Sequence, residues 1–142
     1  MNTALEFHDS NVLTVEADAG SVRVLFSAAY VHRSDGTPGI DSGDGYVQEV
    51  VLHITNATWK GLPEECVGKI SDGDLLIAGA PLRLVPLPFE ATGEVRLELQ
   101  FTNGATLLAS GTSVRLRHLG EPRFVERFAC SGRAGSTQAN EA

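Results

Sequence analysis

The chain has 142 residues, 18 of them acidic and 11 basic, with a net charge of −7 and a hydrophobic fraction of 42%. That is the length of one domain, too apolar for a disordered chain, and large enough to bury roughly two-thirds of its surface without disulfide or metal staples. No apolar run nears the ~18 residues of a membrane helix, no basic-then-apolar leader opens the sequence, and net acidity makes a poor nucleic-acid binder, so the expectation is a cytoplasmic protein with no membrane and no nucleic-acid partner.

Alternation of apolar and polar residues with a period of two dominates the chain. It predicts strands at 4–7, 11–17 and 21–33, the last two flanking a short Asp18-Ala19-Gly20 turn. Along 21–33, Val22, Val24, Phe26, Ala28 and Tyr30 share one face, with Leu25, Ala29 and Val31 on the other, which predicts a strand covered on both sides. Residues 33–45 (RSDGTPGIDSGDG) then form the longest irregular segment, more than twice a usual hairpin loop. Tyr46, Val50, Leu52 and Ile54 mark one face of the next strand, 46–55, with Val47, Val51 and His53 opposite. Pro63 suits a first helical position, and Leu62, Cys66 and Ile70 fall four apart, predicting at most two helical turns.

Further short strands are expected at 74–78, 81–86, 93–101, 105–110, 113–118 and 124–128. Pro81, Pro86 and Pro88 cannot donate to a central ladder and place 81–86 at an edge. Strands 93–101 and 105–110 flank Thr102-Asn103-Gly104, a strong hairpin signal. Strand 113–118 directs Val114, Leu116 and His118 inward, and Arg115 and Arg117 outward. The expected fold is all-β: a single antiparallel β-sandwich or flattened barrel over residues 1–130 with at most one short helix, and a small, polar, disordered tail over 131–142.

Chemistry-bearing residues are scattered. Cys66 and Cys130 lie 64 positions apart with no CxxC pair, so neither a disulfide nor a thiolate zinc site is expected. Asp35, Asp41 and Asp44 punctuate the Gly-rich loop, but counting an EF-hand from Asp35 places Ile40 where glycine is needed and Tyr46 where glutamate is needed. No two of His8, His32, His53 and His118 are spaced to meet along one element, and alternation sets His8 opposite Asp9. His32 runs into the acidic loop, where Asp41 or Asp44 could orient it as a general base or join it on a metal. No GxSxG elbow or phosphate-cradling glycine loop is present, and no cofactor or resident metal is expected. Trp59, at a strand end, is the best stacking anchor. Arg96, Arg115, Arg117, Arg123 and Arg127 form the one cationic group, and guanidinium forks suit carboxylate partners.

The string LEFHDSNV, the long Gly/Asp loop and the later DG…P…NG…G…GE…F spacing resemble small bacterial all-β proteins of unknown function, some of which sit beside toxin genes as proposed immunity or interaction modules. The resemblance implies an all-β fold and a protein-binding role, and it carries over no functional residue.

Three functional expectations follow. The first is a non-catalytic interaction module that binds a protein partner or itself as a homodimer through an interface at Arg96, Arg115, Arg117 and Arg123. The second is a small-ligand or carbohydrate-binding β-sandwich whose site uses the 33–45 loop with Tyr30, His32, Asp35, Asp41, Asp44 and Trp59. The third is a metal-assisted hydrolase using His32 and the loop carboxylates. The absence of an assembled catalytic motif favours the binding readings over an enzyme.

Overall fold

The computed structural model describes residues 2–128. The tail expected from residue 131 onward, and Cys130, lie outside the described residues. The elements are β1 (Asn2–Asp18), β2 (Ser21–Ser34), β3 (Gly43–Thr55), β4 (Thr58–Lys60), a single 3-10 turn (Pro63–Glu65), β5 (Gly68–Ile77), β6 (Ala80–Leu82), β7 (Leu84–Pro86), β8 (Phe89–Phe101), β9 (Thr106–His118) and β10 (Arg123–Phe128). No helix among the described residues is long and apolar enough to cross a membrane.

β1, β2, β3, β9, β8 and β5 pair antiparallel in a ring, so the sheet closes into a six-stranded barrel. The closing seam is short: β1 meets β5 only at Asn11–Lys69 and Val12–Gly68. β4 adds to β9, β6 to β5, β7 to β1 and β10 to β3. The lumen is solid. Val22, Val24 and Phe26 from β2, Val50, Leu52 and Ile54 from β3, Val95, Leu97 and Leu99 from β8, and Leu107, Val114 and Leu116 from β9 are all essentially inaccessible. Six strands leave a bore that side chains fill, and each fully buried Leu or Ile contributes roughly 1.5–3 kcal/mol by leaving water.

The all-β expectation stands, with closure resolved as a barrel. Several segments read as separate strands are continuous: 4–7 with 11–17 in β1, and 105–110 with 113–118 in β9. The helix at Pro63 is only one 3-10 turn, because Gly68 (φ 92) starts β5 and places Ile70 in a strand. His118 continues the Val114 and Leu116 face opposite Val50, as expected, but it is exposed, since β9 ends there and the lumen ends with it. The proline-bearing segment is split at Arg83 into β6 and β7, both outside the ring.

The departure that matters for function is a break in alternation at one end of the barrel. Between Phe26–Val50 and Ala29–Gln48 the pairing of β2 with β3 slips by one residue. This β-bulge exchanges the two faces of β2, so Ala29 and Val31 continue the buried face begun by Phe26. Tyr30 and His32 turn to the other side instead of lining up with the core. β1 bulges more strongly at the same level: from Glu6–Tyr30 to Asn11–Ala28 it advances five residues while β2 advances two. Beyond the bulges β7, β1, β2, β3 and β10 form one five-stranded sheet that rises from the barrel mouth.

Candidate functional site

The β1 bulge builds the site. Asp9 takes a left-handed conformation (φ 73), which aspartate tolerates better than most residues. Ser10 turns inward, fully buried, and replaces the missing ladder bonds: its Oγ donates to Glu6 O at 2.6 Å and accepts from Tyr30 N–H at 2.9 Å. The extra residues are pushed outward, so His8 and Asp9 lie on the same side, with His8 Nδ1 3.3 Å from an Asp9 oxygen. Plain alternation had separated them.

Glu6, His32 and Tyr30 occupy neighbouring positions on β1 and β2. His32 Nε2 and Glu6 Oε1 are 2.6 Å apart, and the His32 side chain is only 12% exposed. The Phe128 ring stacks on His32 at 5.1 Å, and Tyr30 meets it edge-on at 5.2 Å. Gly45, directly opposite His32 on β3, makes this closure possible. A Cβ there would collide with the Tyr30 hydroxyl and press on Phe128. His32 Nδ1 is buried with no hydrogen-bond partner among the described residues. That favours the tautomer with its proton on Nε2, donated to Glu6. Tyr30 donates to Glu126 at 2.5 Å. Burial, then the bond to Glu126 and the negative charges of Glu126, Glu6 and Asp9, push the Tyr30 hydroxyl well above the usual phenol range and keep it protonated.

Two adjoining hollows open beside this cluster. A polar pocket of about 270 Å³ is lined by Glu6, His8, His32, Asp72, Arg83 and Leu84, among others. An apolar trough of about 530 Å³ runs along Ala4, Pro38, Ile40, Leu84, Pro86 and Leu87. Leu84 is the wall common to both. The loop at 35–42 covers them: Pro38 and Ile40 reach into the trough, and Gly39 faces the polar pocket. Gly39 lies so close that a Cβ would sit 2.5 Å from Leu84 Cδ1. The loop is tethered by Asn2 Nδ2 donating to Gly36 O at 2.6 Å and closed internally by Thr37 N–H donating to Asp41 Oδ2 at 2.6 Å.

The structure brings together only part of the residue set expected from sequence. Tyr30 and His32 meet, and the 33–45 loop does flank them, although its irregular part is only 35–42. The loop carboxylates do not converge on His32. Asp41 caps its own turn, Asp44 pairs with Arg127 at 3.2 Å on the opposite face of β3, and Asp35 is exposed. Trp59 lies elsewhere, on β4 against β9, in a shallow cleft of about 250 Å³ with Lys60 and Arg96. The arginines form no single stripe. Arg96 pairs with Glu98 at 2.9 Å opposite Ser110, whereas Arg115, paired with Glu90 at 2.9 Å, is five residues further along β9, about 16 Å at strand rise. Arg117 neighbours Arg115, and Arg123 sits on β10 opposite Val47.

Glu6, His8, Asp9, Asp72, Arg83 and Leu84 escaped the sequence reading as site residues. The signal lay in LEFHDS: an Asp-Ser pair inside an otherwise alternating strand is turn chemistry out of place. Comparison of the chain with family models, with curated proteins and with solved structures gave no match.

Proposed function

We propose that this chain is a binding module for a small amphiphilic molecule, held between the 35–42 loop and β7. The observation that carries this reading is the adjacency of the apolar trough and the polar pocket across Leu84. Ligand sites are characteristically apolar hollows of some hundreds of Å³ with a few convergent polar groups, and here Glu6, His8 and Arg83 cluster at one end only. An aliphatic or ring portion would lie along Ala4, Pro86 and Leu87, with a hydrogen-bonding head at Glu6 and His8. The 33–45 loop named in the second sequence expectation contributes through Pro38, Gly39 and Ile40 rather than through its carboxylates.

The test is a ¹H–¹⁵N titration with three monomeric probes sharing an alkyl tail: octyl glucoside, octanoate and octylamine. At least one should shift the amides of Ala4, Gly39 and Leu84 together with His32, and Leu84→Glu should abolish the shifts. Silence from all three, or shifts confined to other surfaces, overturns the reading.

A second reading, association with another copy, is supported by β10. This strand ends the strand order among the described residues and leaves Phe124 57% and Val125 46% exposed. Unpaired edges with apolar side chains invite strand pairing. Sedimentation equilibrium would show a dimer that Val125→Lys dissociates; a monomer at all concentrations removes this reading.

A further inference from the structure

We infer that Glu6, His8 and Asp9 form a binding site for a borderline first-row divalent cation such as Zn²⁺, with His32 as the residue that positions Glu6. Two carboxylates near a turn are common without any ion. What distinguishes this group is an imidazole nitrogen among them and a second, mostly buried imidazole behind them.

The donor geometry fits. One donor atom from each of Glu6, His8 and Asp9 lies within 4.8 Å of the others. His8 Nδ1 is 3.3 Å from Asp9 Oδ2 and 3.8 Å from Glu6 Oε2. A tetrahedral ion with bonds of ~2.1 Å needs donors about 3.4 Å apart, which the two His8 distances bracket, while the Glu6 and Asp9 oxygens lie within 4.8 Å of each other. The mixture of one nitrogen with two carboxylates suits Zn²⁺ or its neighbours and disfavours Ca²⁺ and Mg²⁺, which take oxygen.

Each carboxylate divides its two oxygens. Glu6 Oε1 is engaged by His32 at 2.6 Å, which leaves Oε2 toward His8. Asp9 Oδ1 is 3.3 Å from Lys69 Nζ, which leaves Oδ2 toward His8. His32 has no other hydrogen bond among the described residues and is gripped by Phe128 and Tyr30. It therefore fixes the Glu6 rotamer, as outer partners of metal ligands do. Lys69 is the competitor: its ammonium supplies positive charge at the edge of the group without reaching the Glu6 oxygen or the His8 nitrogen. Glu6 and His8 also line the polar pocket, so remaining coordination positions would open into it.

The experiment is calorimetric titration of the full chain with ZnCl₂, in a Cys130→Ser background that removes a competing thiol. One Zn²⁺ per chain at micromolar affinity is expected, with no heat from CaCl₂ or MgCl₂. His8→Ala and Glu6→Gln should each weaken binding at least about tenfold, and His32→Asn about 10–100-fold. Lys69→Met should tighten it, which a merely structural role for the cluster would not produce. Ile40→Glu, which lines the apolar trough and not the polar pocket, should leave Zn²⁺ affinity unchanged, so the two proposals fail separately. No binding, or binding indifferent to His8→Ala, overturns the inference, and unchanged amide spectra of the variants exclude unfolding as the cause.

Discussion

The closed body of the barrel and the sheet that rises from its mouth share three strands, β1, β2 and β3, yet they obey different rules. In the body, β2 and β3 pair without interruption from Ser21–Thr55 to Phe26–Val50, and every second residue faces a dry lumen. At the mouth, bulges on β1 and β2 turn His8, Asp9, Tyr30 and His32 out of register with the core. Burial enforces alternation wherever a residue would otherwise enter the lumen. Where the ring opens, that penalty lapses, and an inserted residue can present a polar group to solvent. Chemistry has collected at the mouth for this reason: a strand interior in the body has no orientation left to give a ligand.

The contrast is broken most severely by mutating the body. Leu52 is fully buried between β2 and β9, and Leu52→Ala should cost about 2–5 kcal/mol through lost transfer energy plus a cavity. Urea unfolding followed by tryptophan fluorescence measures it. Leu84→Ala, at the pocket wall, should cost far less; equal losses would mean that the two regions unfold as one packed unit. Gly73 probes the boundary between them. A Cβ there would stand 2.8 Å from Leu99 Cδ2 and 2.9 Å from Phe7 Cβ, both in the core, so Gly73→Ala should destabilise by about 1–3 kcal/mol through overpacking. A neutral result would show that the mouth can widen.

Ser10→Ala sharpens the comparison from the other side. It deletes no core volume of consequence but strands the Tyr30 N–H and leaves the Glu6 carbonyl one donor short. A loss of about 1–3 kcal/mol is expected, accompanied by faster amide exchange at Tyr30 and unchanged exchange at Leu52. Uniformly faster exchange would refute the idea that the bulge is held locally.

Legibility in the sequence follows the same division. The body was readable because burial of alternate side chains is a period-two code, and Val95, Leu97, Leu99 and Phe101 spell it without interruption. The turns were readable where left-handed residues are required: Ala19 (φ 46) and Gly20 (φ 78) join β1 to β2 as the short hairpin loop expected there. The site was legible only in Tyr30, His32 and the flanking loop. Glu6, His8 and Asp9 were hidden because the β1 bulge, five residues against two on β2, breaks the alternation between Glu6 and Asn11, and its mark in the sequence is only the Asp9-Ser10 pair. Trp59 and the loop aspartates were singled out for their chemistry alone, and chemistry does not say which strand edge a residue reaches.

The smallest expected effect concerns charge on the barrel's outer wall. His53 lies between Arg23 and Arg115 on adjacent strands, 2.7 Å from Ser21 Oγ through Nε2. Burial first, then the positive charges of Arg23, Arg115 and Arg117, lower its pKa below the usual imidazole value. Partial desolvation at the end of β9 and then Arg33 lower that of His118 in the same direction. As pH falls through about 6.5 the unfolded chain takes up these protons while the folded chain does not, so stability declines until the lower folded-state pKa is passed. Urea midpoints measured between about pH 7.5 and about pH 5.5 should therefore fall, and His53→Gln should flatten the decline by removing one of the two groups. The difference between the two slopes isolates the imidazole. An identical slope would mean that the wall accepts an imidazolium between its arginines at no cost, with solvent screening outweighing the cross-strand repulsion.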